Sequence, residues 1–161
     1  MSKYTKPLYA LALVILFSAG LLLAKYAPWE GQNGANAGYA NLGGDFILDS
    51  DGGPVNLEDF RGQLVLMYFG FTSCPDVCPT ALSTIAASMR QLTPTLEAQI
   101  QPLFVSVDPA RDTLDNLAKY SAYFHPRMLG VTGSIEALDQ LVKNYGAYYR
   151  HITLENSVLG Y

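Results

Sequence analysis

Residues 64–82 read LVLMYFGFTSCPDVCPTAL. Leu64 to Phe71 form a continuous apolar run, bounded by Gly62 and Thr72. It is short for a helix and no polar residue interrupts it. That pattern suits a strand buried on both faces beneath covering helices. From Pro79 the period changes. Leu82, Ile85, Ala86, Met89 and Leu92 recur at helical spacing, with Pro79 in the first turn, where its missing N–H costs little. A buried strand therefore hands over to a helix within a few residues, and Cys74 and Cys78, the only cysteines, lie at that junction.

The neighbouring segments repeat the alternation. Upstream, Phe46-Ile47-Leu48 and Val55-Asn56-Leu57 flank Asp49 to Pro54, a hairpin signal. Downstream, Leu103 to Val107 reads as a second buried strand. Asp112 and Thr113 can cap a helix carrying Leu114, Leu117, Ala118 and Phe124. Met128 to Val131 is a short strand candidate. Ser134 caps a third helix, with Gly146 as its stop, and Ala147 to Thr153 is a fourth strand candidate. The order predicts an α/β layer structure with parallel crossovers. The last strand starts so near Tyr161 that the sheet is expected to continue past it.

The N-terminus has another character. Leu8 to Ala24 is uncharged and apolar, near the ~17–25 residues that span a bilayer. Lys3 and Lys6 precede it, and Tyr26 and Trp29 are suitable interface anchors. A cleaved signal peptide is the rival reading, but Ala35-Asn36-Ala37, its small-x-small site, lies far from the apolar run. Residues 1–29 are therefore expected to be a membrane anchor with its N-terminus cytoplasmic. Residues 30–44, rich in Gly, Asn and Ala, read as a flexible linker. Residues 45–161 are then a domain in an oxidising compartment, the bacterial periplasm behind the inner membrane.

Charge narrows the function. The 161 residues carry 10 Lys+Arg and 14 Asp+Glu, a net charge of −4. Three of the basic residues fall within the first 25, so the exported part has seven against fourteen, a net −7. That balance argues against nucleic-acid binding.

The chemistry lies with the two thiols. Positions i and i+4 share a helix face, about 5–6 Å apart at Cβ. Sulfurs there can bridge each other or share a metal ion, and the helix N-terminus favours the thiolate. The bland reading, one stabilising disulfide, is weakened by the shortness of the loop it would close. The strand–Cys–helix pattern resembles thioredoxin-like domains, but with C-x-x-x-C spacing, which is expected to leave both sulfurs facing out and open to a third ligand.

FGFTSCPDVCPTAL, VSVDPARDT at 105–113 and LGGDFILDSDGGPVNLEDFRG at 42–62 together resemble the Sco/SenC family of copper-binding assembly proteins. The resemblance implies a thioredoxin-like fold, a central mixed sheet with flanking helices and an N-terminal hairpin, behind one transmembrane helix. It implies a metallochaperone that holds Cu(I) or Cu(II) through Cys74, Cys78 and a distant histidine. Its partner would be subunit II of cytochrome c oxidase, whose copper A centre it helps assemble, with other periplasmic copper carriers or thiol reductants upstream. Soft thiolates select Cu(I), and an imidazole completes the set. The family's histidine belongs to an Asp-His pair just beyond a segment like Leu159-Gly160-Tyr161, so it is expected past Tyr161. The alternative function is enzymatic, a periplasmic thiol:disulfide reductase acting on the subunit II cysteines through the same pair.

Other candidates have simpler readings. His125 ends a helix before Pro126 and reads as a surface histidine. His151 reads as an exposed strand position. Asp76 is expected to cap its turn. Asp108 and Asp112 follow a strand, where α/β sheets present functional loops, with helix capping the simpler role for Asp112.

Overall fold

The computed structural model describes residues 15–20, 22 and 42–150, and the chain divides after Asn41 into two units. In the first, residues 15–20 and 22 are helical and exposed. Among the described residues no helix is long and apolar enough to cross a membrane. Most of the apolar run read as an anchor lies outside them.

In the second unit β1 (Ile47–Ser50) and β2 (Gly53–Asn56) form the hairpin. A 3-10 turn (Leu57–Phe60) follows, capped by the Asn56 side chain. Then come β3 (Leu64–Gly70), α1 (Val77–Met89), the short α2 (Pro94–Glu97), β4 (Ile100–Ser106), α3 (Leu114–Phe124), β5 (Leu129–Val131) and α4 (Ile135–Asn144). Helix α2 is absent from the sequence reading. Thr93 caps it and Pro94 opens it, a start signal too short to show a period.

Strands β3, β4 and β5 form one sheet in that order, and both pairings are parallel. Among the described residues antiparallel pairing lies in the hairpin and in a single bridge from Asp49 to Thr132. A right-handed crossover in each β-α-β step, with strands added in one direction, puts α1 and α3 on the same face. Strand β4 sits between its neighbours and alternates its side chains into two cores. Leu103 and Val105 join Leu48, Val55, Val131, Leu138 and Leu141 on the hairpin and α4 side. Phe104 joins Leu82, Ala86, Leu117, Phe124 and Met128 on the α1 and α3 side. Pro102 is tolerated in β4 because pairing with β5 begins only at Leu103.

Helix caps follow the sequence in two of three places. Thr113 accepts from the Asn116 N–H and Ser134 from the Ala137 N–H. Asp112 does not cap α3; its carboxylate is committed elsewhere. Helix α4 ends in a Schellman motif, with Gly146 at φ +67°, its N–H on the Lys143 carbonyl and the Ala147 N–H on that of Val142. That bond uses the donor with which a strand at Ala147 would begin. Residues 147–150 are irregular, and 151–153 lie outside the described residues. The far end of the expected linker is fastened: the Gly43 N–H donates to the Asn144 carbonyl, and the Tyr145 hydroxyl to that of Gly44.

His125 ends α3 as expected, but its surface position is corrected. It is 3% exposed rather than on the surface. Its Nδ1 accepts from the Arg127 N–H at 3.3 Å, and its Nε2 lies 3.5 Å from Glu97 Oε1. Burial holds its pKa below the ordinary imidazole value, outweighing the pull of Glu97; Arg90 and Arg127 act in the same direction as burial. The neutral ring therefore contributes stability that is present above about pH 6.5 and lost as pH falls through the lowered value. Urea midpoints are expected to drop between pH 7.5 and 5.5 in the parent and to stay flatter in His125→Asn.

Candidate metal centre

Strand β3 ends at Gly70, whose carbonyl accepts from the Val107 N–H. The chain then turns over residues 71–74, with the Cys74 N–H on the Phe71 carbonyl at 3.3 Å. Pro75 and Asp76 lead into α1, and Cys78 is its second residue. A helix leaves its first N–H groups without partners. Asp76 occupies the N-cap position, but its side chain makes no cap hydrogen bond, contrary to expectation. The Cys74 sulfur replaces it. Cys74 Sγ accepts from the Cys78 N–H at 3.4 Å and from the backbone of Asp76 and Val77. Pro79 has no N–H to satisfy. The dipole of α1 and these donors converge on one sulfur.

The two thiols consequently differ. Burial works against the Cys74 thiolate, yet the hydrogen bonds from the Cys78 side chain and from three backbone N–H groups outweigh it, so its pKa falls. Cys78 goes the other way, raised by burial and by donating to Cys74, against donors from the Phe71 N–H and the Tyr68 hydroxyl. Both cysteines are free thiols. They are 8% and 3% exposed, which corrects the expectation of two sulfurs facing out. Cys78 turns back onto the end of β3. A Cβ at Gly70 would stand 3.0 Å from Cys78 Sγ and 2.9 Å from the Phe104 ring, so glycine makes the room. Iodoacetamide at neutral pH is expected to label Cys74 well before Cys78, as peptide mass spectrometry would resolve; equal rates would contradict the asymmetry.

Two tyrosines back the pair. Tyr68 is pushed up to about 12 by burial, then by its hydrogen bond to Cys78 and the thiol charges. Tyr120 is pushed up to about 12 by burial, then by the charges of Cys78, Cys74 and Asp112. Its hydroxyl is buried and has no hydrogen-bond partner among the described residues. Neither tyrosine was tied to the thiols from the sequence, where Tyr120 reads only as a core or sheet-surface residue, because the strand and helix that bring them together are far apart in the chain.

No group of three or more His, Cys, Asp or Glu among the described residues could hold a metal ion. His125 does not reach the thiols. Arg127, beside it, bonds the Ala98 and Ile100 carbonyls at the start of β4, whereas the cysteine turn leaves β3 level with Ser106 at the other end. Seven strand residues separate the two ends by roughly 20 Å. His151 lies outside the described residues. Asp108 is paired with Arg111. Asp112, 1% exposed, accepts from the Thr72 N–H at 2.9 Å, from Thr72 Oγ1 at 2.5 Å and from Ser106 Oγ at 2.5 Å.

A parallel sheet with a dithiol at the strand-to-helix turn defines a thioredoxin-like domain. The chain belongs to the SCO1/SenC family, whose family model matches residues 34–159. It is 44% identical over 153 residues to the mouse mitochondrial protein SCO2 homolog, covering 86% of this chain and 58% of that protein. Among solved structures it is similar to Arabidopsis thaliana ScoI with copper bound, at 38% identity and a TM-score of 0.66, over 72% of this chain and 73% of that one. It is also similar to BsSco, described as a member of the Sco family of cytochrome c oxidase assembly proteins with a disulfide switch, at 25% identity and a TM-score of 0.52, over 63% of this chain and 61% of that one. The chain spans 38% to 58% of the length of the mouse, bovine and Arabidopsis relatives it matches.

Proposed function

We propose that residues 45–161 form a copper-carrying domain in which Cys74 and Cys78 grip the ion through both sulfurs, and that it serves assembly of the copper A centre in subunit II of cytochrome c oxidase. The observation that carries this reading is the pair of reduced thiols a single helical turn apart, one already gathered into a nest of backbone N–H groups. Thiolates are soft donors, and a buried, apolar setting suits a large monovalent ion of low charge, so Cu(I) is the preferred cargo. A third donor would come from outside residues 42–150. The copper-bound Arabidopsis relative supports copper as the cargo. On this reading the protein is a metallochaperone rather than an enzyme. It is held at the bacterial inner membrane by residues 1–29, with the domain in the periplasm, loaded by other copper carriers or kept reduced by thiol donors.

The test is stoichiometry. Reduced protein is expected to take one Cu(I) per chain in competition with bicinchoninate, and protein alkylated at both thiols none. Copper retained after alkylation, or none bound by the reduced form, overturns the reading.

The opposite shifts of the two thiols favour one further reading, thiol:disulfide reduction of the subunit II cysteines. The Cys74 thiolate would attack the substrate disulfide, releasing one thiolate. Cys78 would then attack the mixed disulfide and release the second, so that two electrons leave the pair as the Cys74–Cys78 disulfide forms. A thiol reductant resets it. Cys78→Ser is expected to trap a mixed disulfide through Cys74 whether or not copper is present; failure to trap one without copper counts against this reading.

A further inference from the structure

We propose that Asp112 is a positioning residue for the thiol pair: its carboxylate, through Thr72, fixes the turn that presents Cys74. A buried carboxylate is costly to keep charged unless donors or a counter-charge satisfy it. Among the described residues Asp112 has no Lys or Arg paired with it, and three donors satisfy it instead. Two of them belong to Thr72, forty residues away in sequence, and the third to Ser106, which ends β4 level with Gly70. Capping of α3 is already supplied by Thr113, so Asp112 is free for this long-range role.

What it holds is specific. Thr72 is the first corner of the 71–74 turn, which the Cys74 N–H closes onto the Phe71 carbonyl at 3.3 Å. The Phe71 N–H, at the same turn, is a donor to Cys78. Displacing Thr72 therefore moves the hook from which Cys74 hangs and a donor that faces Cys78. Hydrogen bonds to an ionised acceptor are short and directional, which is what a loop carrying a metal ligand needs. Ser106 extends the hold: its Oγ accepts from the Asp108 N–H and its carbonyl accepts from Thr132 Oγ1. Thr132 in turn exchanges backbone bonds with Asp49 of β1. The cysteine turn is thus tied through Asp112 to the hairpin.

The proposal rests on the copper reading only for what the positioned sulfurs then bind. Its test uses the full chain carrying Asp112→Asn, Thr72→Val, Thr72→Ser and the double variant Asp112→Asn with Thr72→Val. Three quantities are read on each: the Cys74-to-Cys78 alkylation ratio in the reduced apo protein, Cu(I) affinity against bicinchoninate, and the urea midpoint. Asp112→Asn and Thr72→Val are expected to move the alkylation ratio toward unity. They are also expected to weaken Cu(I) binding by about 10–100-fold, the usual effect of losing a group that orients metal ligands. Thr72→Ser keeps the hydroxyl and stays near the parent. The double variant is expected to lose no more than the worse single one, because both act through one contact. A merely structural carboxylate would lower the urea midpoint and leave the ratio in folded protein unchanged, which overturns the proposal. If Asp112→Asn does not fold, the contrast between Thr72→Val and Thr72→Ser decides. If the parent takes no Cu(I), the copper reading fails on its own, and the alkylation ratio still answers for Asp112.

Discussion

Cys74→Ser and Cys78→Ser are each expected to lower Cu(I) affinity by more than the about 10–100-fold that follows from losing a group that only orients a ligand, and neither is expected to unfold the domain. The first half follows from donor chemistry. A serine hydroxyl is hard and stays protonated at neutral pH, so either variant leaves a soft ion with one thiolate from the described residues. The second half follows from what surrounds each sulfur. At position 74 the side chain accepts N–H groups from the first turn of α1, and serine is among the best residues for that task, so the helix keeps its cap within about 1 kcal/mol. At position 78 a hydroxyl finds the Phe71 N–H and the Tyr68 hydroxyl within the same setting, so burial at 3% exposure does not leave it without partners. Chelator competition and urea melts on the same samples separate the two effects. Undiminished affinity in both variants would remove the thiols from the metal site. Lost affinity with an unchanged urea midpoint is the expected pair of results.

The elements were legible where the period of apolar residues is local. Leu64–Phe71 and Leu103–Val107 read as strands buried on both faces, and Leu82, Ala86 and Met89 as a helix face; β4 is buried in that way, whereas Leu64 and Leu66 of β3, at the edge of the sheet among the described residues, are exposed. The α/β class followed, and the thioredoxin-like layout was what the resemblance to the Sco/SenC family implied. What was not legible depends on which surface comes back from elsewhere. The i,i+4 spacing puts Cys74 and Cys78 on one face of a turn, but nothing in it says that the face turns toward Gly70 and Tyr68 rather than toward solvent. His125 looked peripheral because its partners Glu97 and Arg127 belong to neighbouring segments with no periodic signature of their own. Asp112 sits immediately before a good cap residue, so capping was the natural local inference. Its actual partner, Thr72, is visible only once β3 and β4 lie side by side. A small clue was present: Thr113 alone suffices as a cap, which leaves the preceding acid unexplained. Among the candidate site residues the sequence placed the two sulfurs at the strand-to-helix turn and named Asp112, but not the glycine and tyrosines around the thiols nor the partner of that carboxylate.

Phe104→Ala carries the largest expected loss of stability. The ring is fully buried and is the single β4 side chain of the α1 and α3 core. It is stacked with Tyr68 at 6.4 Å between centroids and tilted against Tyr120 at 5.3 Å. Truncating a buried phenylalanine costs about 3–5 kcal/mol, the transfer of the ring plus the cavity it leaves. Set against a total of about 5–15 kcal/mol, that is a large share, and for a domain near 100 residues it lowers Tm by some 12 °C or more at about 4 °C per kcal/mol. The site responds as well. Tyr68, its register partner on β3, loses its support and with it the fixed hydrogen bond to Cys78, while the wall against which Gly70 and Cys78 pack opens. Copper affinity is therefore expected to fall too, but less than in the serine variants, because both thiolates remain. Phe104→Leu separates packing from cavity: it refills much of the space and costs about 1–1.5 kcal/mol. Thermal and urea unfolding of the two variants checks the order. A Phe104→Ala protein within about 1 kcal/mol of the parent would mean that the ring is not the keystone of this core. A Phe104→Ala protein that is destabilised yet keeps parent alkylation rates at Cys78 would mean that Tyr68 holds its place without it.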